Sequence, residues 1–429
     1  MKQRLLLKIM RSLALLVPTL WPLAALGSPS ARQGDDLTLE RAIRMAMENS
    51  PTLRASGARK LGAAGRAVQA RAWPNPELEV SSQDMPTSRS RVSQAKHMVG
   101  ISQMIPYPGK KTADAQIGQA DLAAGAADWR STRADLVRDV KISYAQVKTA
   151  EASAAVAEDL VAVAQAAAAA AGKRSAAGEI TLQEQLRAEI QLEQTQADKL
   201  DAQREATLAR QAFALLLGRP DLRDFRLSDA LEESADLSLT RITPSAWLAG
   251  HPSMVAARAR RDQAVATLRR AGLEPLPDVK VGVAGGRDEA AEENLMELRF
   301  SLALPIFDRN TGKELEAKAA VLEADAAIAA AEQYLLADWR TAAARYQIAA
   351  RQVTAHRNHI LPKSQEALRL VQTGFDEGKF GFIDLLDIQR TTAEVRMTYQ
   401  KKLLELNTAR ADLEAMAKPA PNFLAAPDN

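Results

Sequence analysis

The chain has 429 residues, 47% of them apolar but only 4% aromatic, with 56 Lys and Arg against 53 Asp and Glu. It has no cysteine and four histidines, which excludes a disulfide scaffold, a thiol nucleophile, an iron–sulfur centre and any cysteine-based zinc site. The near balance of charge argues against a dedicated nucleic-acid binder, and the apolar fraction argues against a disordered chain. Abundant alanine with few aromatics favours long helices packed closely over a bulky globular core.

Residues 1–27 read as a secretory signal. Lys2, Arg4, Lys8 and Arg11 precede an apolar run that ends at the small-residue exit Ala25-Leu26-Gly27. Removing those four basic residues takes the formal net charge from +3 to −1, so the basicity belongs to the leader. The run is shorter than the roughly 20 apolar residues that a spanning helix needs. No cysteine stands near the exit to carry a lipid. No later window is expected to form a transmembrane helix.

The remainder repeats itself. Asn49-Ser50-Pro51-Thr52 has a counterpart in Gly250-His251-Pro252-Ser253, and Pro74-Asn75-Pro76 in Pro275-Leu276-Pro277. Ile105-Pro106 matches Leu304-Pro305, Gly109-Lys110 matches Gly312-Lys313, and Ala177-Gly178-Glu179-Ile180 matches Glu377-Gly378-Lys379-Phe380. All fall about 200 residues apart and in one order, which marks a duplication. A first unit is expected over 37–218, a linker over 219–243, a second unit over 244–416 and a flexible tail over 417–429.

Each unit reads as a helix, a strand pair and a long helical hairpin. The first helix covers 38–72, with Thr38 as N-cap, Glu40 and Arg44 one turn apart, and Pro74 and Pro76 as the stop. Strand pairs are expected near 76–105 and 277–305. In the second, Val279, Val281 and Val283 share a face, as do Met296, Leu298, Phe300, Leu302 and Leu304, with Glu297, Arg299 and Ser301 opposite. One apolar and one polar face suits a sandwich, or a barrel with lipid outside and water within. Four strands cannot close a barrel, because single-chain outer-membrane barrels start at about eight; pooling strands from several copies would close one. The hairpins are expected over 109–218 and 312–416, long enough to imply coiled coil. Gly178 and Gly378 supply their reversals, and Pro362 is expected to kink or break the second.

Several motifs carry a resemblance. Leu37-Thr38-Leu39-Glu40, Ala72-Trp73-Pro74-Asn75-Pro76-Glu77-Leu78, Leu304-Pro305-Ile306-Phe307-Asp308-Arg309-Asn310-Thr311-Gly312 and the run 375–390 are similar to the TolC-type outer-membrane efflux proteins. The resemblance covers 37 to about 416. It implies a mostly helical α+β homotrimer, with four strands per protomer in a shared twelve-stranded barrel, a periplasmic helical tube and a small mixed equatorial region. Tyr107-Pro108-Gly109-Lys110 and the Asp308-Arg309-Asn310 step most resemble the heavy-metal subgroup of resistance-nodulation-division systems. The implied partners are outer-membrane lipid, a periplasmic adaptor and a proton-driven inner-membrane transporter, with no nucleic acid. The implied cargo is divalent heavy-metal cations. A duct for drugs or other small organic compounds, and a structural coiled coil of the envelope, are the alternatives.

No covalent chemistry is expected. Residues 374–379 end in Gly-Lys with no Ser or Thr after them, so no phosphate loop forms, and Gly-x-Ser-x-Gly is absent. His356 and His359 could share a helix face near Glu366, an incomplete metal set for which ordinary surface histidines are the plainer reading. A passive conduit needs weak contacts, since tight ligands trap a cation in transit. No cofactor, resident metal or catalytic residue is therefore assigned. The candidate constriction is Asp384 and Asp387, at positions where the resembling family carries inward carboxylates at the periplasmic end; acidic residues at a helix start are the simpler role. In the first copy Glu184 and Arg187 stand at the matching positions. Gly178, Glu179, Ile180, Gly378, Lys379, Phe380 and Phe382 form the hairpin tips and are candidates for adaptor docking, although the apolar ones could instead pack within the hairpins.

Overall fold

The computed structural model describes residues 36–83, 95–289 and 291–417, so the leader and the tail beyond 417 lie outside the described residues. A short strand β1 (Asp36–Leu37) leads into α1 (Leu39–Asn49) and α2 (Pro51–Arg71). Thr38 caps α1 by accepting from the Arg41 N–H at 3.1 Å, and Glu40 and Arg44 pair at 3.7 Å. The run from 38 to 72 is two helices, not one. Pro51 bars Ser50 from helical geometry, so Ser50 turns extended (φ −61°, ψ 118°) and caps the second helix through the Leu53 N–H.

Strands β2 (Glu77–Gln83) and β3 (Lys96–Ile105) follow, then α3 (Lys110–Ala176) and α4 (Leu182–Leu216). The 67 residues of α3 extend about 100 Å at 1.5 Å per residue. After β4 (Arg226–Leu227) and the short helix α5 (Pro244–Trp247), the second copy runs through α6 (Pro252–Leu273), β5 (Val279–Asp288), β6 (Glu293–Leu302) and α7 (Thr311–Ala355). It ends with α8 (Leu361–Asp376) and α9 (Phe382–Ala417). Pro362 neither breaks nor ends this arm. The proline lacks an N–H and crowds the preceding turn, and the chain accommodates it with a π-helical turn at His356–Ile360 that joins α7 to α8.

Near the strands, α3 packs between α2 and α6; toward the tips it packs between α4 and α9. One window of α3 reaches a mean hydropathy of 1.4, enough by length and composition to cross a membrane and contrary to expectation. Alanine accounts for this: it scores as apolar, and Ala167 and Ala171 pack on Ala188 of the neighbouring α4. Two larger cores sit midway along α3 and along the arm of α7 and α8, against the C-terminal ends of α4 and α9. The first gathers Ile43, Met47, Val140, Tyr144, Phe213 and Phe225; the second gathers Leu239, Trp247, Trp339, Tyr346, Leu406 and Leu413. Beside the first core, β1 and β4 form a parallel pair through Asp36↔Arg226 and Leu37↔Leu227.

The remaining four strands form one antiparallel sheet in the order β2-β3-β5-β6, with β2 and β6 as open edges. Its burial is inverted relative to a soluble sheet. Met296 and Phe300 are 80% and 72% exposed, while Glu297 and Arg299 between them are half-buried. The apolar rows Leu78-Ile101-Val283-Leu298 and Val80-Val99-Gly285-Met296 cross all four strands, and their apolar side chains stay exposed on the single chain.

Tyr144 ties the equator together. Its hydroxyl accepts from the Asp229 N–H at 2.9 Å and donates to the Asp229 carbonyl at 3.3 Å. Burial pushes this phenol from its ordinary 10 up to about 12. The folded chain thus holds the phenol proton more tightly than the unfolded chain, so its stabilisation is full below pH 10 and is lost as pH rises through about 12. Tyr144→Phe is expected to cost about 1 kcal/mol at neutral pH, by removing the hydroxyl partner of the part-buried Asp229 amide. It should also flatten the decline in thermal midpoint across that alkaline window, measured by circular dichroism in detergent.

Candidate functional site

The two hairpin tips are built alike. Residues 177–181 join α3 to α4 and residues 377–381 join α8 to α9. Gly178 and Gly378 adopt φ of 75° and 73°, a left-handed region that glycine enters without Cβ strain. One residue on, the Glu179 N–H donates back to the Arg174 carbonyl at 2.9 Å, and the Lys379 N–H to the Gly374 carbonyl at 2.7 Å. These bonds cap carbonyls that a helix end leaves free.

The restarts differ. At α4, Thr181 and Glu184 form a full capping box: the Glu184 N–H donates to Thr181 Oγ1 at 3.3 Å and the Thr181 N–H to Glu184 Oε2 at 2.8 Å. At α9 the capping position is Gly381, which has no hydroxyl, and half of the box survives. The Gly381 N–H donates to Asp384 Oδ2 at 2.9 Å. Asp384 therefore holds the first turn of α9 while staying exposed, and Asp387 lies exposed one turn further along.

Of the tip residues, Glu179 and Lys379 are exposed, each beside an ion-pair partner: Arg174 at 3.0 Å and Glu377 at 2.6 Å. Ile180 is partly buried in a small cluster with Ala167, Ala171, Ala188, Phe375 and Leu386, which joins the two hairpins. The Arg174 guanidinium stacks 5.4 Å from the Phe375 ring in the same place. Phe380 is 45% exposed, its ring lying on the backbone of Gly374; a Cβ there would fall 2.2 Å from the ring. The side chain of Phe382 lies outside the described residues.

Glu184 and Arg187 do not join Asp384 and Asp387. They line a groove of about 260 Å³ between α4 and α9, together with Gln191, Ile383 and Leu386. His356 sits in the π turn with Nδ1 2.9 Å from the Gln352 carbonyl. Among the described residues, no group of three or more His, Asp or Glu is arranged to hold a metal ion.

The polar face expected at Glu297 and Arg299 belongs to a second set of charges that local sequence pattern does not bring together. Glu77 and Glu79 on β2, Lys280 on β5 and Glu297 and Arg299 on β6 share the concave face of the sheet. Lys280 Nζ lies 2.8 Å from Glu77 and 3.1 Å from Glu79. Arg299 lies 2.8 Å from Glu79 and 3.0 Å from Glu297, and Ser102 Oγ donates to Glu79 at 2.9 Å. The signal for this set was the polar half of the period-two alternation.

Asp384→Ala is expected to remove about 1 kcal/mol from the start of α9 and to speed amide exchange over residues 381–386. Asp384→Asn keeps an acceptor oxygen and should protect the turn, and Asp387→Ala should leave its exchange unchanged. Hydrogen–deuterium exchange with mass spectrometry reads all three.

The sequence fits the outer membrane efflux protein family over residues 42–219 and 243–417. The cobalt-zinc-cadmium resistance protein CzcC of Cupriavidus metallidurans is 26% identical over 370 residues, 85% of each chain. Among solved structures, the outer membrane protein VceC of Vibrio cholerae has a TM-score of 0.73 at 20% identity, covering 88% of this chain and 95% of that one. A membrane protein from Pseudomonas aeruginosa reaches a TM-score of 0.76 at 22% identity, covering 88% and 93%. These structures share the arrangement of strands and long helices described above, and the family match spans both copies of the repeat. The chain belongs to the outer membrane efflux protein family.

Proposed function

We propose that three copies of this chain pool their sheets into one barrel and their helices into one tube, forming the outer-membrane duct of a tripartite pump that exports divalent heavy-metal cations. The observation that carries this reading is the inverted sheet with two open edges. Bilayer lipid gives an exposed N–H or C=O no partner, so β2 and β6 need strands from neighbouring copies. A head-to-tail contact of one edge on the other closes into a ring. The helical edges support it, because α2 leaves Leu61 and Val68 exposed and α7 leaves Leu315 and Leu322 exposed.

The metal cargo is supported by the name of the relative CzcC. The duct itself catalyses nothing; a proton-driven inner-membrane transporter supplies the energy, and a periplasmic adaptor meets the tips at Glu179, Lys379 and Phe380. Under three-fold symmetry Asp384 and Asp387 become rings of carboxylates at the periplasmic mouth, which attract cations and bind them weakly enough to pass. Adaptor contact then shifts the tips between two packings.

Planar-bilayer conductance of the purified trimer tests the mouth. The Asp384→Asn/Asp387→Asn variant removes charge while keeping the cap of α9, and is expected to raise a low conductance and weaken block by divalent cations. Unchanged conductance and block would move the constriction elsewhere. A deletion strain complemented with the gene should regain tolerance to cobalt, zinc or cadmium; regained tolerance to organic compounds alone would favour the drug duct.

A further inference from the structure

The concave face of the sheet reads as two rows. Glu77-Ser102-Gly282-Arg299 is one and Glu79-Gly100-Ala284-Glu297 the next, each crossing β2, β3, β5 and β6 in register. In these two rows the charged residues stand on the outer strands, and the two central strands contribute only Gly, Ala and Ser. A Cβ on Gly100 would lie 2.7 Å from that of Ala284, so nothing larger fits the trough between them. In a flat sheet β2 and β6 would be about 14 Å apart, three strand spacings. The curl and the empty centre let Arg299 reach across to Glu79, and let Lys280 reach over β3 to Glu77 and Glu79.

This face is not neutral. Toward the far rim it adds Lys96, Asp288 and Glu293, which stand side by side in register. Among the described residues, five carboxylates face three cations there: Glu77, Glu79, Asp288, Glu293 and Glu297 against Lys96, Lys280 and Arg299. Lys280 and Arg299 each lie between two carboxylates, which hold them against the wall. The opposite face carries charge only at its far rim, in the row that holds His97 and Arg287.

We infer that the concave face of the barrel is a second charge-selecting section of the duct, favouring cations over anions on the exit side independently of Asp384 and Asp387. This rests on the duct reading. Fixed wall charge in a wide, wet passage acts through its screened potential. The screening length is about 30 Å at 0.01 M salt and about 3 Å at 1 M, so the preference is strong in dilute salt and lost in concentrated salt.

Reversal potentials of the full-length trimer across a potassium chloride gradient, in dilute and concentrated salt, test this. The wild type should prefer potassium in dilute salt and lose that preference in concentrated salt, and Asp384→Asn/Asp387→Asn, which removes the contribution of the mouth, should leave a smaller potassium preference that still fades with salt. Glu77→Gln/Glu297→Gln, amides that keep the hydrogen bonds, should bring the potassium-to-chloride permeability ratio toward unity. Lys280→Gln/Arg299→Gln should raise it. A ratio unchanged in both barrel variants, or independent of salt, overturns the inference even where the duct conducts normally. Variants that lower only the heat resistance of the trimer show the network to be structural and also overturn it. A folded wild-type trimer that never conducts overturns the duct reading itself, and this inference with it.

Discussion

A strand edge in lipid has nothing to bond with, and that constraint governs this protein. Backbone amides stripped of water and left unpaired cost several kcal/mol each, so a four-stranded sheet with two bare edges is unfinished by itself. The same solvent explains the reversed burial. In the proposed barrel hydrocarbon surrounds Leu78, Val99, Leu298 and Phe300, which are exposed on the single chain, while Glu79 and Arg299 lie on the opposite face and pair with each other. In the proposed duct, the helices beyond the sheet carry the closed passage across the periplasm. Long alanine-rich helices do so with little bulk, because small side chains let backbones approach.

Duplication supplied two arms from one plan, and the differences between them lie where function is expected. The first tip restarts with a complete capping box, Thr181 with Glu184. The second replaces the threonine with Gly381 and assigns the remaining bond to Asp384, a residue that also carries exposed charge. One carboxylate thus has a structural duty and, in the proposed duct, an electrostatic one. Ile180 and Phe375, one from each copy, share a small core, so the tips are tied to each other across the repeat.

Much of the fold was legible because it follows short periods. The alternation at Val279, Val281 and Val283 and at Met296, Leu298 and Phe300 announced strands, and the repeated glycines announced the reversals. The β1–β4 pair was invisible, since two residues carry no period. The reach of Arg299 to Glu79 depends on register across four strands, which no local pattern encodes. Pro362 read as a break because its missing N–H is a local fact, whereas the π turn that absorbs it is a property of the whole arm. At the site, the acidic residues Asp384 and Asp387 stood out by position. The capping bond of Asp384 was hidden by the glycine at the start of its helix, and Asp387 lies exposed on the single chain.

The π turn gives the protomer two members of unlike stiffness. The first copy is a single strut, α3, continuous from the strands to its tip. The second is a jointed arm, whose α7 and α8 meet at a turn with a wider ring and a missing backbone donor at Pro362. Asp384 and Asp387 lie beyond that joint in chain order. In the proposed duct, load on the tips would therefore be taken up as rotation at the joint, and the mouth would swing while the sheet and both larger cores keep their shape.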